Sequence, residues 1–442
     1  MIATLPVPDD VKLADYSRQV MANSPYRDSL LNAPFHAPKS GSNPIPSRVG
    51  DASPIKYILY IIKENRTFDQ VLGDLKDSAG KPLGNGDPNL TLFGEQVTPN
   101  IHQLAREYVT LDNTYCNGDV SGNGHPWSTA GYGTDIGERA WMQSYGGHAE
   151  WPLKDPDIYP PVGRIWDRCE QKKLPWASYY FTWTTDNTKK NMPAAWAEGF
   201  DKRREFENAD IFNADLKRYE QNNNMPHFMI MSLREDHTNG TKPGAFTPQA
   251  CVASNDLGVG KIVEACSKSK FWKEMAIFVI QDDAQDGPDH VDAHRTEALV
   301  ISPYTRHHGV DSTFYSTTSL LRTMELILGL APMSQYDAAA TPMYNAFQNK
   351  PDFSPYVCLP ARTDVMAKNG QTAYGARDSQ QMDFTKPDHL TARQVDRLNH
   401  ILWHSVKGEN APYPAPVRRA LLHPSGLSAL PGQTITDEKA DD

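Results

Sequence analysis

Six apolar stretches stop abruptly at polar residues, and they set the expected framework of the chain. They are Ile55–Ile62, Val109–Tyr115, Leu174–Phe181, Pro226–Leu233, Met275–Gln281 and Glu297–Ile301. Short apolar runs bounded by polar residues read as buried strands. Between them, the spacing predicts helices near Thr67–Leu72, Thr98–Tyr108 (capped by Thr98 or Asn100), Pro126–Tyr132, Val162–Lys173, Ile211–Gln221, Asp256–Ser267 and Ser316–Leu328. Residues 74–97, 140–158 and 182–203 read as irregular, the second as a loop over the site. Strands alternating with helices predict an α/β fold with a mostly parallel sheet and helices on both faces.

Residues 1–54, with eight prolines, read as an extended arm carrying one short helix near Asp15–Asn23. A catalytic core is expected over 55–345. A Pro-, Gln- and Asn-rich extension over 346–424 is expected to pack on it, with one helix near Thr391–Val406. Residues 425–442 read as a disordered tail.

Three of the strands end in chemistry. The first runs into Lys63-Glu64-Asn65-Arg66-Thr67-Phe68-Asp69, another into Arg234-Glu235-Asp236-His237-Thr238. A third runs into Gln281-Asp282-Asp283, followed by Asp286, Asp289, His290, Asp292 and His294. Open α/β sheets place ligands at the carboxyl ends of their strands. Adjacent aspartates there repel each other unless a cation lies between them, although an acidic Gly/Pro-containing loop has the same composition. A fourth cluster, Asn117–Trp127, is a glycine-rich turn that sets Ser121 near a helix N-terminus, with Pro126 suited to the first turn. Four such clusters at corresponding positions are hard to explain as ordinary surface turns.

Composition narrows the function. The chain has 442 residues, a net charge of −10 and a mean hydropathy of −0.58. That balance argues against binding nucleic acid by phosphate neutralisation. No apolar run approaches the ~20 residues that span a membrane. The N-terminus has no basic region followed by a long apolar core, so it does not read as a signal peptide. Five scattered cysteines without a Cys-x-x-Cys form neither a zinc site nor a dense disulfide framework.

With these residues in view, the chain resembles the bacterial phosphoesterase family that holds phospholipases C and related acid phosphatases, within the alkaline-phosphatase superfamily. Glu64-Asn65-Arg66-Thr67-Phe68-Asp69 is similar to its N-terminal signature, and Asp282-Asp283 with the following loop to its C-terminal metal signature. Leu111-Asp112-Asn113 resembles the segment before its nucleophile. The resemblance implies an alkaline-phosphatase-like sandwich, and one divalent cation (Mg²⁺, Mn²⁺ or Ca²⁺ before Zn²⁺) held by Glu64, Asn65, Asp282, Asp283 and Ser121. It implies Ser121 as nucleophile, with Ser128 or Thr129 as fallbacks. Gly124 departs from the asparagine usual before the basic residue His125. His125, His237, His290 and His294 are implied as catalytic groups, and Asp236, His125 and His294 as substrate contacts. Family members are usually exported, which favours a periplasmic or secreted setting.

The expected activity is metal-dependent hydrolysis of a phosphate ester, as a phosphomonoesterase working through a phosphoseryl intermediate. A phospholipase C-like phosphodiesterase and a non-catalytic metal-stabilised binding module are the alternatives. No nucleic acid is expected as a partner beyond nucleotide substrates. Trp127, Trp141, Trp151, Trp176 and Trp183 could hold a lipid or nucleobase, or simply pack.

Overall fold

The computed structural model describes residues 7–24, 26–144, 160–180, 186–284, 287–384 and 390–415. Its strands are β1 (Tyr57–Lys63), β2 (Thr110–Leu111), β3 (Thr114–Tyr115), β4 (Trp176–Tyr179), β5 (Phe228–Leu233), β6 (Met275–Gln281), β7 (Ala298–Ile301), β8 (Val310–Asp311) and β9 (Tyr315–Ser316). Five form the central sheet in the order β4-β5-β1-β6-β7, parallel except for β7.

Both faces of this sheet are covered, which is why β1, β5 and β6 are apolar at nearly every position rather than alternating. On one face Leu59, Ile61, Met231 and Val279 pack with Leu104, Phe212, Leu216 and Ile262, from helices Pro99–Glu107, Glu205–Asn222 and Pro248–Lys268. On the other, Ile58, Tyr60, Ile62 and Phe278 meet Ile165, Trp166, Leu321 and Met324, from helices Ile165–Gln171 and Thr317–Leu328. Among the described residues no helix is long and apolar enough to cross a membrane. All five cysteines are free thiols.

Several sequence expectations shift. The stretch Val109–Tyr115 is not a sheet strand but splits into β2 and β3, which pair with β8 and β9 in separate two-residue ladders. The break falls at Asp112, whose carboxylate accepts from the Asn85 N–H at 2.8 Å and whose carbonyl accepts from Arg295 at 3.1 Å. Loops have claimed the groups a longer strand would need. Residues 140–144 close a helix, Asp135–Ser144, and the rest of the expected lid lies outside the described residues, as do Trp151, Trp183 and the tail. Within 186–203, short helices at Asp186–Lys190 and Ala194–Ala197 replace irregular chain.

The N-terminal helix Asp10–Asn23 is exposed, but the arm's later part joins the body. Ile45 and Ile55 are buried in the core, and the Leu30 carbonyl accepts from the buried Arg322 at 2.9 Å. Past residue 345, Tyr356 bonds Asn100 at 2.8 Å, and Trp403, on helix Ala392–Lys407, packs with Phe93.

Candidate active site

The sheet register brings the chemistry together. Lys63 lies beside Leu233 on one side and Gln281 on the other. Glu64, the Arg234–His237 turn and Asp282 therefore leave the sheet at one level. A buried charge network ties these ends. Lys63 Nζ reaches Glu297 and lies 3.5 Å from Asp236, while Gln281 Nε2 bonds Asp236 at 3.2 Å and Glu297 at 3.0 Å. Burial disfavours the Lys63 charge, yet Glu297 and Asp236 outweigh it and hold its pKa above the ordinary value.

Asp236 is not placed as the expected substrate contact. It is fully buried, and its carboxylate accepts from the Glu64 N–H at 3.2 Å, Gln281 and Asn255. Burial pushes it up to about 6, against the pull of Lys63 and Arg66. With its oxygens committed to protein donors, it orients the Glu64 turn.

Glu64, Asn65, Asp282, Asp283, Ser121 and His125 form the centre, all buried. Asn65 Nδ2 donates to Asp283 Oδ1 at 2.6 Å and lies 3.3 Å from Ser121 Oγ. Ser121 Oγ donates to Asp283 Oδ2 at 2.9 Å. His125 Nε2 lies 3.2 Å from Glu64 Oε1 and 3.4 Å from Asp282 Oδ2. Neither oxygen of Asp282 accepts a hydrogen bond of ordinary geometry. Burial, then Asp283 and Glu64, push the Asp282 carboxyl well above its usual range. Burial also pushes Asp283 up to about 7, against its bonds from Asn65 and Ser121. A buried carboxylate without a donor costs several kcal/mol unless neutralised. Three carboxylates around this point therefore fit a divalent cation, which Glu64, Asn65, Asp282 and Asp283 would hold with Ser121 and His125 beside it.

Ser121 opens the helix Ser121–Ala130, which begins five residues before the expected Pro126. The Val120 N–H donates to Asn123 Oδ1 at 3.1 Å, satisfying the helix entry. Pro126 then sits inside, at the cost of one intrahelical bond. Gly124 has a steric reason. A Cβ there would lie 2.6 Å from the Asp282 carbonyl oxygen, so only glycine lets this helix seat against the Asp282 backbone. The fallback nucleophiles face elsewhere: Ser128 lies against the buried Tyr60 hydroxyl, and Thr129 Oγ1 donates to the His125 carbonyl at 2.6 Å and accepts from Arg164.

The histidines separate. His125 is at the centre. His237 is half-buried, and the Glu64 carboxyl stays below the usual range because His125 first, then His237 and Arg234, overcome the burial penalty. His290 is drawn away from the centre: Nδ1 lies 2.6 Å from Asp69, in a group with Asp289 and the buried Arg295. His294 bridges Asp292 and Asp119, each at 3.0 Å, at a partly exposed position. Sequence reasoning missed Lys63, Glu297 and Arg295. A lysine closing an apolar strand was the available signal for Lys63. It also missed Tyr180, whose hydroxyl lies 2.6 Å from His125 Nδ1 and which no motif marks.

A family model described as the Phosphoesterase family matches residues 83–331. No curated protein matches the sequence. Among solved structures, a protein of the alkaline phosphatase superfamily from Vibrio parahaemolyticus is similar, with 16% identity and a TM-score of 0.46 over 76% of this chain and 78% of that one. The lipoteichoic acid synthase LtaP from Listeria monocytogenes is similar at 10% identity and a TM-score of 0.42, over 80% of this chain and 93% of that one.

Proposed function

Since this chain belongs to the phosphoesterase family and is thereby a phosphoric ester hydrolase, we propose that it is a phosphomonoesterase that works through a phosphoseryl intermediate on Ser121. One observation carries the reading: Ser121 Oγ donates at 2.9 Å to a buried carboxylate of the acidic centre, from the first residue of a helix. A structural metal site has no use for a serine so placed. When bound, a divalent cation neutralises charge on the phosphoryl oxygens and lowers the pKa of a hydroxyl beside it.

The chain's own groups do the rest. Asp283 Oδ2 takes the Ser121 proton as Oγ bonds to phosphorus and the P–O bond to the leaving group breaks. The helix N-terminus favours the phosphoryl charge, and Asn65 Nδ2 orients Oγ. His237, half-buried, gives a proton to the departing alkoxide. It then takes one from the water that attacks the phosphoserine, the Oγ–P bond breaks, and Ser121 regains its proton from Asp283.

Ser121→Ala is the test. It should keep fold and cation and lose nearly all hydrolysis, while acid-quenched native enzyme carries phosphate on the Ser121 peptide. No label, with Ser121→Ala still active, would mean direct attack by water and defeat this mechanism. A panel of monoesters and a choline phosphodiester, with and without chelator, checks the substrate class. Faster release from the diester would reassign the enzyme to the phospholipase C-like type.

A further inference from the structure

We propose that His125 is a nitrogen ligand of the cation, locked in that role by Tyr180, and that the site therefore prefers Zn²⁺ to Mg²⁺, Mn²⁺ or Ca²⁺. The inference rests on the reading of the acidic centre above, and corrects the all-oxygen site that the motifs imply.

The distances carry it. His125 is fully buried, and Nε2 stands at nearly equal range from two carboxylates, 3.2 Å from Glu64 and 3.4 Å from Asp282. A charge-assisted N–H···O⁻ bond closes to about 2.7–2.9 Å. Both contacts are longer, and Asp282 accepts no ordinary hydrogen bond at all. Atoms that share one ion at about 2.1 Å, with bond angles near 90–109°, lie about 3.0–3.4 Å apart. The spacing of Nε2 from the Glu64 and Asp282 oxygens matches ligand-to-ligand edges, and the Glu64 contact stands at the long limit of an ordinary hydrogen bond.

The other ring nitrogen is accounted for separately. Nδ1 lies 2.6 Å from the Tyr180 hydroxyl. Ligating histidines almost always donate their second N–H to an oxygen, which fixes the tautomer that leaves the metal-facing nitrogen unprotonated. Tyr180 is buried and cannot turn away, with its ring against Trp166 at 6.2 Å and edge-on to His125 at 5.6 Å. Imidazole suits Zn²⁺ and other later metals, whereas sites of carboxylate, carbonyl and water suit Mg²⁺, Ca²⁺ and Mn²⁺. One nitrogen among the oxygens moves the preference toward Zn²⁺.

The experiment is calorimetric titration of the metal-stripped full chain with Zn²⁺, Mn²⁺ and Mg²⁺, for the native protein, His125→Gln and Tyr180→Phe. The native chain should bind Zn²⁺ more than tenfold tighter than Mn²⁺ or Mg²⁺. Tyr180→Phe, which keeps the ring packing, should lose roughly tenfold in Zn²⁺ affinity, the lower end of the range for such supporting groups, with Mg²⁺ changed less than about twofold. Equal shifts for all three metals, or none, would overturn the proposal. In the Zn²⁺-loaded native protein, ¹⁵N NMR should show His125 protonated at Nδ1 alone; protonation at Nε2 would also overturn it. Zn²⁺ bound through His125 without any phosphoserine would uphold this inference and remove only the phosphoseryl mechanism. Phosphoserine formed with Mg²⁺, with affinities indifferent to Tyr180, would do the reverse.

Discussion

Asp282 carries the strongest charge argument at the scale of single residues. It is fully buried; burial, Asp283 and Glu64 raise its pKa, only Ser121 pulls the other way, and neither oxygen accepts a hydrogen bond of ordinary geometry. Asp282→Asn keeps the shape and removes the charge that a cation needs. Cation affinity should fall more than tenfold and hydrolysis with it, as read by titration calorimetry and a monoester assay. Undiminished binding would place the cation elsewhere. Lys63 makes the complementary case. It holds two buried carboxylates, Glu297 and Asp236, apart from water. Lys63→Met removes the cation that both carboxylates face while their neutral donors remain, and breaking a buried ion pair costs about 3–5 kcal/mol. Urea unfolding of the metal-free protein measures that loss. A change below about 1 kcal/mol would mean that the carboxylates simply take up protons.

The placing of whole elements also depends on distant partners. Helix Pro99–Glu107 was expected to be capped by Thr98 or Asn100, but the Thr98 hydroxyl instead bonds the Phe93 carbonyl at 2.7 Å. The cap comes from Asp256, in the middle of helix Pro248–Lys268, which accepts from Asn100 N–H at 3.1 Å, its side chain at 2.9 Å and Ile101 N–H at 2.7 Å. A buried carboxylate thus joins two helices on the same face of the sheet. Asp256→Ala should destabilise by about 2–4 kcal/mol, the sum of a cap and charge-assisted bonds. Asp256→Asn should recover part of it. Equilibrium denaturation of both variants decides, and equal stability of Asp256→Ala and the native chain would show that water replaces the cap. In the loop after β6, Arg295 pairs with Asp69 and Asp289, which explains why His290 is held with them and away from the centre.

Cation and fold are coupled across the molecule as a whole. Asp283 is pushed up to about 7 from an ordinary 3.8 by burial. A carboxyl raised in the folded state contributes stability that is fully present below its unfolded pKa and is lost as pH rises through the folded value. The metal-free protein should therefore lose stability from this site as pH climbs from about 4 to about 7. A cation needs the carboxylates ionised, so its binding strengthens over the same interval. The gap in melting temperature between metal-loaded and metal-free protein should widen from pH 5 to pH 8 in thermal scans. A gap independent of pH would mean that these carboxylates do not hold the cation.

The sequence by itself determined the sheet and most of its helices, because buried parallel strands are continuous apolar runs and β6 ends where its pattern ends, at Gln281. It also marked Glu64, Asn65, Asp282 and Asp283, since polar residues directly after such strands must gather at one edge of a parallel sheet, and it marked Ser121 by the glycine-rich turn before Pro126. What it could not contain was the set of partners more than a hundred residues away. The pairing of Lys63 with Glu297, the Asp256 cap and the separation of His290 from His125 depend on which loops meet. The seat that requires Gly124 depends on how closely a helix approaches the Asp282 backbone. Local pattern reports whether a residue is buried. Only the packed chain decides which oxygen or nitrogen faces it, and for the paired aspartates and His125 that choice separates an acidic turn from a metal site.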